Sequence, residues 1–204
     1  MFVGKWNKSV ILTYVGLMAS ISGIFFAITA PEKLKIAFTM LVIAGICDLF
    51  DGFVARKCKR TEEEKAFGIE LDSLVDAVSF LAFPIVLMVS MGLTQWYHLI
   101  AYMVYTICGI ARLAYFNVVQ ESTSEPVKYY LGLPVTYVAL IYSVLYSLQI
   151  VVSMEILQVL FLIATLVISL LFILKVKIKK PRGIWYLFFS LLSILMIVIY
   201  VVVL

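Results

Sequence analysis

Seven apolar stretches, each about as long as a bilayer is thick, govern what this chain can fold into. They lie at residues about 10–30, 34–56, 69–93, 96–118, 131–153, 156–175 and 184–204, and a helix needs about 20 mostly apolar residues to span a membrane. They are too long for barrel strands and lack a barrel's alternation of apolar and polar positions. The expected fold is therefore all-α, a polytopic membrane bundle of six to seven transmembrane helices forming one domain over residues 1–204. Composition agrees. Hydrophobic residues make up 64% of the chain and charged residues 14%, against roughly 45–50% and 25% in a soluble domain. Too little polar surface remains for a water-soluble particle. The small net charge of +4 excludes a nucleic-acid polymer as a partner. The first stretch is too long for a cleavable signal peptide and has no small-residue cleavage site after it. Cys47, Cys58 and Cys108 have neither metal-ligand spacing nor an even number to pair.

Lysine and arginine set the orientation, because short cytosolic loops carry them in excess. With the N-terminus in the cytosol, fourteen of the sixteen basic residues fall on that side, and only Lys33 and Lys35 fall outside. The expectation is a multi-pass protein of the cell membrane with a cytosolic N-terminus. His98 and the tryptophans Trp6, Trp96 and Trp185 fall near span ends, where interfacial aromatic residues belong.

Ionisable residues inside membrane segments are costly and usually functional. Here four aspartates lie close together. At about 100° per residue, Asp48, Asp51, Gly52, Ala55 and Arg56 share one face of the second helix. Gly68, Asp72, Asp76 and Ser79 share one face of the third. A cytosolic loop joins these helices, so both faces can converge at the membrane's cytosolic edge. Four carboxylates beside one arginine cannot all stay ionised without cations. A hard divalent ion with oxygen ligands answers that need, and Mg²⁺ or Mn²⁺ fits where substrate phosphates share the coordination. The small residues on both faces leave room for a bulky ligand or let backbones approach.

The pattern Asp48-x-x-Asp51-Gly52-x-x-Ala55-Arg56, then Gly68-x-x-x-Asp72-x-x-x-Asp76, resembles the signature of the CDP-alcohol phosphotransferases. Those membrane enzymes move a phosphoalcohol from a CDP-linked donor to an acceptor hydroxyl and release CMP. The eleven residues between Arg56 and Gly68 exceed the family's usual spacing, and the surplus falls in the charged run Lys59 to Lys65, expected as a solvated loop. The resemblance implies that Asp48, Asp51, Asp72 and Asp76 hold about two divalent ions, with Asp76 also the general base. It further implies a donor pocket of Gly52, Ala55 and Gly68, with Arg56 on phosphate and Thr13 near the nucleotide, and a homodimer.

The acceptor is read from a second resemblance. Glu70-Leu71-Asp72-Ser73-Leu74, Ser79-Phe80, Ala111 to Asn117 and Gly132-Leu133-Pro134 look like the phosphatidylserine synthase branch. Tyr115 and Gly16 depart from it, standing where that branch often has arginine and asparagine. The implied reaction takes CDP-diacylglycerol and L-serine to phosphatidylserine and CMP. Arg112 can bind the serine carboxylate bidentately, and Asn117 and Ser79 are further candidate acceptor contacts. Glycerol 3-phosphate and inositol phosphate are the alternative acceptors, and each would favour more clustered cations than this chain shows. An ion or metal transporter is the rival from another class. Against it, Asp51 lies only ~8 Å of helix rise from Arg56, whereas transporter sites sit at the midplane between repeats.

Overall fold

A computed structural model describes residues 4–122, 129–179 and 183–203. Six helical runs are long and apolar enough to cross a membrane: Lys8–Thr29, Pro31–Lys57, Glu62–Ser90, Trp96–Val118, Met154–Ile173 and Ile184–Val203. The chain is thus a multi-pass membrane protein. These runs are built from α1 (Ile11–Thr29), α2 (Leu34–Lys57), α3 (Glu62–Asp76), α4 (Phe83–Ser90), α5 (Trp96–Ser122, which continues past its run), α7 (Met154–Ile173) and α8 (Ile184–Val198). Between α5 and α7 comes α6 (Tyr137–Ser147), extended by one 3₁₀ turn to Ile150. The basic residues Lys128, Lys180 and Arg182 lie outside the described residues.

The seventh expected span, 131–153, is shorter than its hydropathy implies. Tyr137–Ile150 rises only ~21 Å. Gly132 has φ +76°, Pro134 follows, and no helix runs through that pair. The backbone there bonds sideways instead: Gly132 N–H donates to Val176 O, and Leu133 N–H to Leu171 O, both at 2.9 Å. Beside it a three-residue antiparallel pair, β1 (Tyr129–Leu131) with β2 (Lys177–Lys179), ties the approach to α6 to the exit from α7. No strand was expected from the sequence. This one sits at the helix ends, where the chain leaves the apolar stretches.

Small residues set how closely the helices pack. Gly16, Ala19, Ser20, Gly23 and Ala27 form the buried face of α1, which lies along α2. A methyl at Gly16 would sit 3.1 Å from the Cys47 β-carbon, and one at Gly23 would collide with the Phe83 ring. Such close approach is how helices associate where lipid removes the hydrophobic drive between them. Gly45 of α2 likewise faces α6, where a methyl would stand 2.8 Å from the Ala139 β-carbon.

Asp76 ends α3, and a π turn, Ala77–Ala82, carries the same run into α4. The cause is Pro84. It has no N–H to offer the Phe80 carbonyl four residues back, while Phe83 N–H reaches Val78 O instead. The Tyr105 hydroxyl of α5 donates to the Phe80 carbonyl.

Candidate active site

The turn between α2 and α3 is shorter and more rigid than the charged sequence implies. α2 continues to Lys57, and α3 begins at Glu62. Thr61 caps it through a reciprocal box: its hydroxyl accepts from Glu64 N–H at 3.2 Å, and the Glu64 carboxylate accepts from Thr61 N–H at 2.8 Å. The surplus spacing is therefore mostly helix. Asn7 closes the turn from the other side by donating to Lys59 O at 3.3 Å.

Held in this way, α2 and α3 present their aspartates to each other. Oxygens of Asp48, Asp72 and Asp76 lie within 4.8 Å of one another. Asp51 joins them through hydrogen-bond contact with Asp72, and Asp48 makes such contacts with Asp76 and Thr136. Thr13 of α1 donates to Asp51 at 3.1 Å. Asp51 and Asp76 are buried, while Asp48 and Asp72 are half-buried. Carboxylates in contact with one another need protons or cations between them. Around a Mg²⁺ ion, ligands at 2.0–2.1 Å stand about 3 Å apart when adjacent and about 4.2 Å when opposite, so the three oxygens need close by only about an ångström each to share one. The cluster fits a hard divalent ion.

The aspartates line a cavity of about 470 Å³. Thr13, Gly52, Ala55, Arg56 and Gly68 line it too, as do Arg112 and Asn117 from α5. Arg112 is buried, with its guanidinium over the Phe116 ring at 4.9 Å. Its burial in the cavity wall distinguishes it from an arginine that reaches out to the membrane interface. Asn117 Oδ1 accepts from the Ser73 hydroxyl at 3.1 Å.

Ser79 is the one expected site residue that does not reach this cavity. It follows Asp76 within the π turn, which breaks the 100° register, and its hydroxyl lies 2.7 Å from that of Ser20. It is buried beside a much smaller gap behind the aspartates. His98, at the start of α5, accepts from Gln95 N–H at 3.0 Å and caps that helix end.

The cavity also has walls that helical periodicity does not show. Ser9, whose buried hydroxyl has no hydrogen-bond partner among the described residues, lines it before α1. Arg60 and Lys65 stand at its rim, and Thr136, Tyr137, Tyr186, Phe189 and Ser193 come from the start of α6 and from α8. Pro134 was the available signal for Thr136, since it places a non-helical bend beside α2. Nothing local marks the α8 residues.

Residues 6–172 match the family described as CDP-alcohol phosphatidyltransferase. The chain is 31% identical over 143 residues to the CDP-diacylglycerol–serine O-phosphatidyltransferase of Saccharomyces cerevisiae, covering 67% of this chain and 51% of that protein. Against the protein of the same name from Mycobacterium tuberculosis it is 33% identical over 128 residues, covering 60% of this chain and 43% of the other. The archaetidylserine synthase of Methanothermobacter thermautotrophicus is 31% identical over 134 residues, covering 65% and 52%. The chain spans about half the length of these curated relatives. α8 lies beyond the matched residues.

Proposed function

This chain belongs to the CDP-alcohol phosphatidyltransferase family, and from that premise we infer that it transfers the phosphatidyl group of CDP-diacylglycerol to the hydroxyl of L-serine, giving phosphatidylserine and CMP. The observation that carries the reading is one cavity lined by four aspartates together with Arg112 and Asn117. The names of the similar proteins support serine as acceptor.

In this reading Asp48, Asp51, Asp72 and Asp76 hold the metal, about two Mg²⁺ or Mn²⁺ ions. Bound there, the ions neutralise the carboxylates and polarise the diphosphate. Gly52, Ala55 and Gly68 leave the volume the nucleotide occupies, Arg56 takes phosphate, and Thr13 orients Asp51 beside it. Arg112 pairs with the serine carboxylate through its planar fork, and Asn117, steadied by Ser73, adds a polar contact. Asp76 takes the proton from the serine hydroxyl. The freed oxygen attacks the phosphorus that bears diacylglycerol, and the bond to the CMP oxygen breaks. A site at the ends of α2 and α3 suits a donor with acyl chains in the bilayer and an acceptor arriving from water. The distribution of lysine and arginine supports a cytosolic site in the cell membrane, and the family resemblance extends the proposal to a homodimer of this single domain.

The test is CMP release from CDP-diacylglycerol by purified protein with Mg²⁺ or Mn²⁺, offering acceptors one at a time. Serine should support release. Release with glycerol 3-phosphate or inositol phosphate but not with serine would overturn the acceptor, and no release with any acceptor would overturn the reaction.

A further inference from the structure

The turn between α2 and α3 brings a further guanidinium to the cavity, beyond Arg112 and the Arg56 of the family pattern. Arg60 is half-buried, lines the cavity, and places a terminal nitrogen 3.8 Å from where a β-carbon on Gly68 would stand. Arg56 does the same on the other helix, 3.4 Å from the corresponding point on Gly52. Each arginine thus lies over one of the two glycines at the mouth, one on α2 and one on α3.

Three acids, Glu62 to Glu64, follow Arg60 after Thr61, yet none forms an ion pair with it among the described residues. Glu62 holds Lys65 at 2.6 Å, and Glu63 holds Lys5 at 2.5 Å. That contact pushes the Lys5 ammonium above its ordinary range. Glu64 is used in the Thr61 cap. The arrangement satisfies the local acids with lysines and the helix cap, and leaves the arginine fork directed at the cavity. The turn that carries it is held at both ends, by the Thr61 cap and by the Asn7 bond to Lys59 O. Little ordering remains to be done when a ligand arrives.

We propose that Arg60 is a donor-binding residue that grips the diphosphate of the cytidine donor from the α3 side, opposite Arg56. This rests on the donor assigned above. A planar fork without a carboxylate partner, beside a glycine floor and facing a cavity, suits a phosphate oxygen pair. The longer spacing between Arg56 and Gly68 is what supplies it.

Calorimetric binding of CDP and of uncharged cytidine to the full chain in detergent with Mg²⁺ tests this. Arg60→Gln should weaken CDP binding about tenfold, the low end for a charge-assisted contact at a partly solvated rim, and leave cytidine affinity unchanged. Arg60→Lys should fall between, and the wild-type advantage should shrink as salt rises. A thermal midpoint equal to wild type for Arg60→Lys shows that the turn is intact. If Arg56→Gln weakens CDP binding and Arg60→Gln does not, the role of Arg60 is overturned while the donor assignment stands. Equal losses for CDP and cytidine would also overturn it, since Arg60 would then read the nucleoside. If the wild-type chain binds neither ligand, the donor assignment falls as well.

Discussion

Two regions of this molecule bury polar groups, and they do so in opposite ways. In the aromatic core, Phe38 stacks on Tyr146 with ring centroids 3.8 Å apart and meets Phe161 and Tyr200 edge-on. Four buried tyrosine hydroxyls there end on internal partners: Tyr102 on Leu93 O at 2.8 Å, Tyr105 on Phe80 O, Tyr200 on Ser143 O, and Tyr142 against Thr165 at 2.8 Å. In the cavity, four aspartates face mainly one another, with Thr13 and Thr136 as neutral partners. The core closes on itself apart from the Ser143 hydroxyl, which is buried without a partner among the described residues. The cavity is completed only by what binds in it, so its polar groups weaken the fold for the sake of a ligand.

Substitutions in the two regions should therefore separate activity from stability. The largest effect belongs to the aspartates. Asp48→Asn or Asp72→Asn should lower CMP release by about 10³-fold or more, while the metal-free thermal midpoint holds or rises as repulsion is relieved. A fall in the midpoint would make these residues structural. The converse change is Phe38→Ala. It should cost about 3–5 kcal/mol of stability, read by thermal unfolding in detergent, with turnover per folded molecule near wild type. Between the regions stands Arg112. Arg112→Ala should raise the serine KM by about 10- to 150-fold, the equivalent of about 1.5–3 kcal/mol, with Arg112→Lys intermediate and the donor KM nearly unchanged. The smallest effect is Tyr105→Phe, which strips the Phe80 carbonyl of its donor beside Pro84. About 0.5–1.5 kcal/mol of stability should be lost, and a loss of turnover larger than that would tie the π turn to catalysis.

The same division explains what the sequence reveals. The aspartates are legible because helical periodicity alone puts Asp48 with Asp51 and Asp72 with Asp76 on defined faces, and a short connection forces those faces together. The spans are legible by length. What periodicity cannot supply is a break in its own register. Pro84 starts the π turn that carries Ser79 to Ser20, and Gly132 with Pro134 shortens α6. Nor can it supply contacts made only by tertiary packing, such as Thr136 on Asp48 or Tyr186 and Ser193 in the far wall. The Lys59 to Lys65 run reads as solvated loop by charge, and the Thr61 capping box turns most of it into helix.

Manganese binding tests most directly whether external cations complete the cavity. Electron paramagnetic resonance of the purified chain titrated with Mn²⁺ should show saturable binding of about two ions. Asp48→Asn and Asp72→Asn should lose it, and EDTA should abolish both the bound signal and CMP release. Full CMP release in excess EDTA, with no ion retained, would contradict the account.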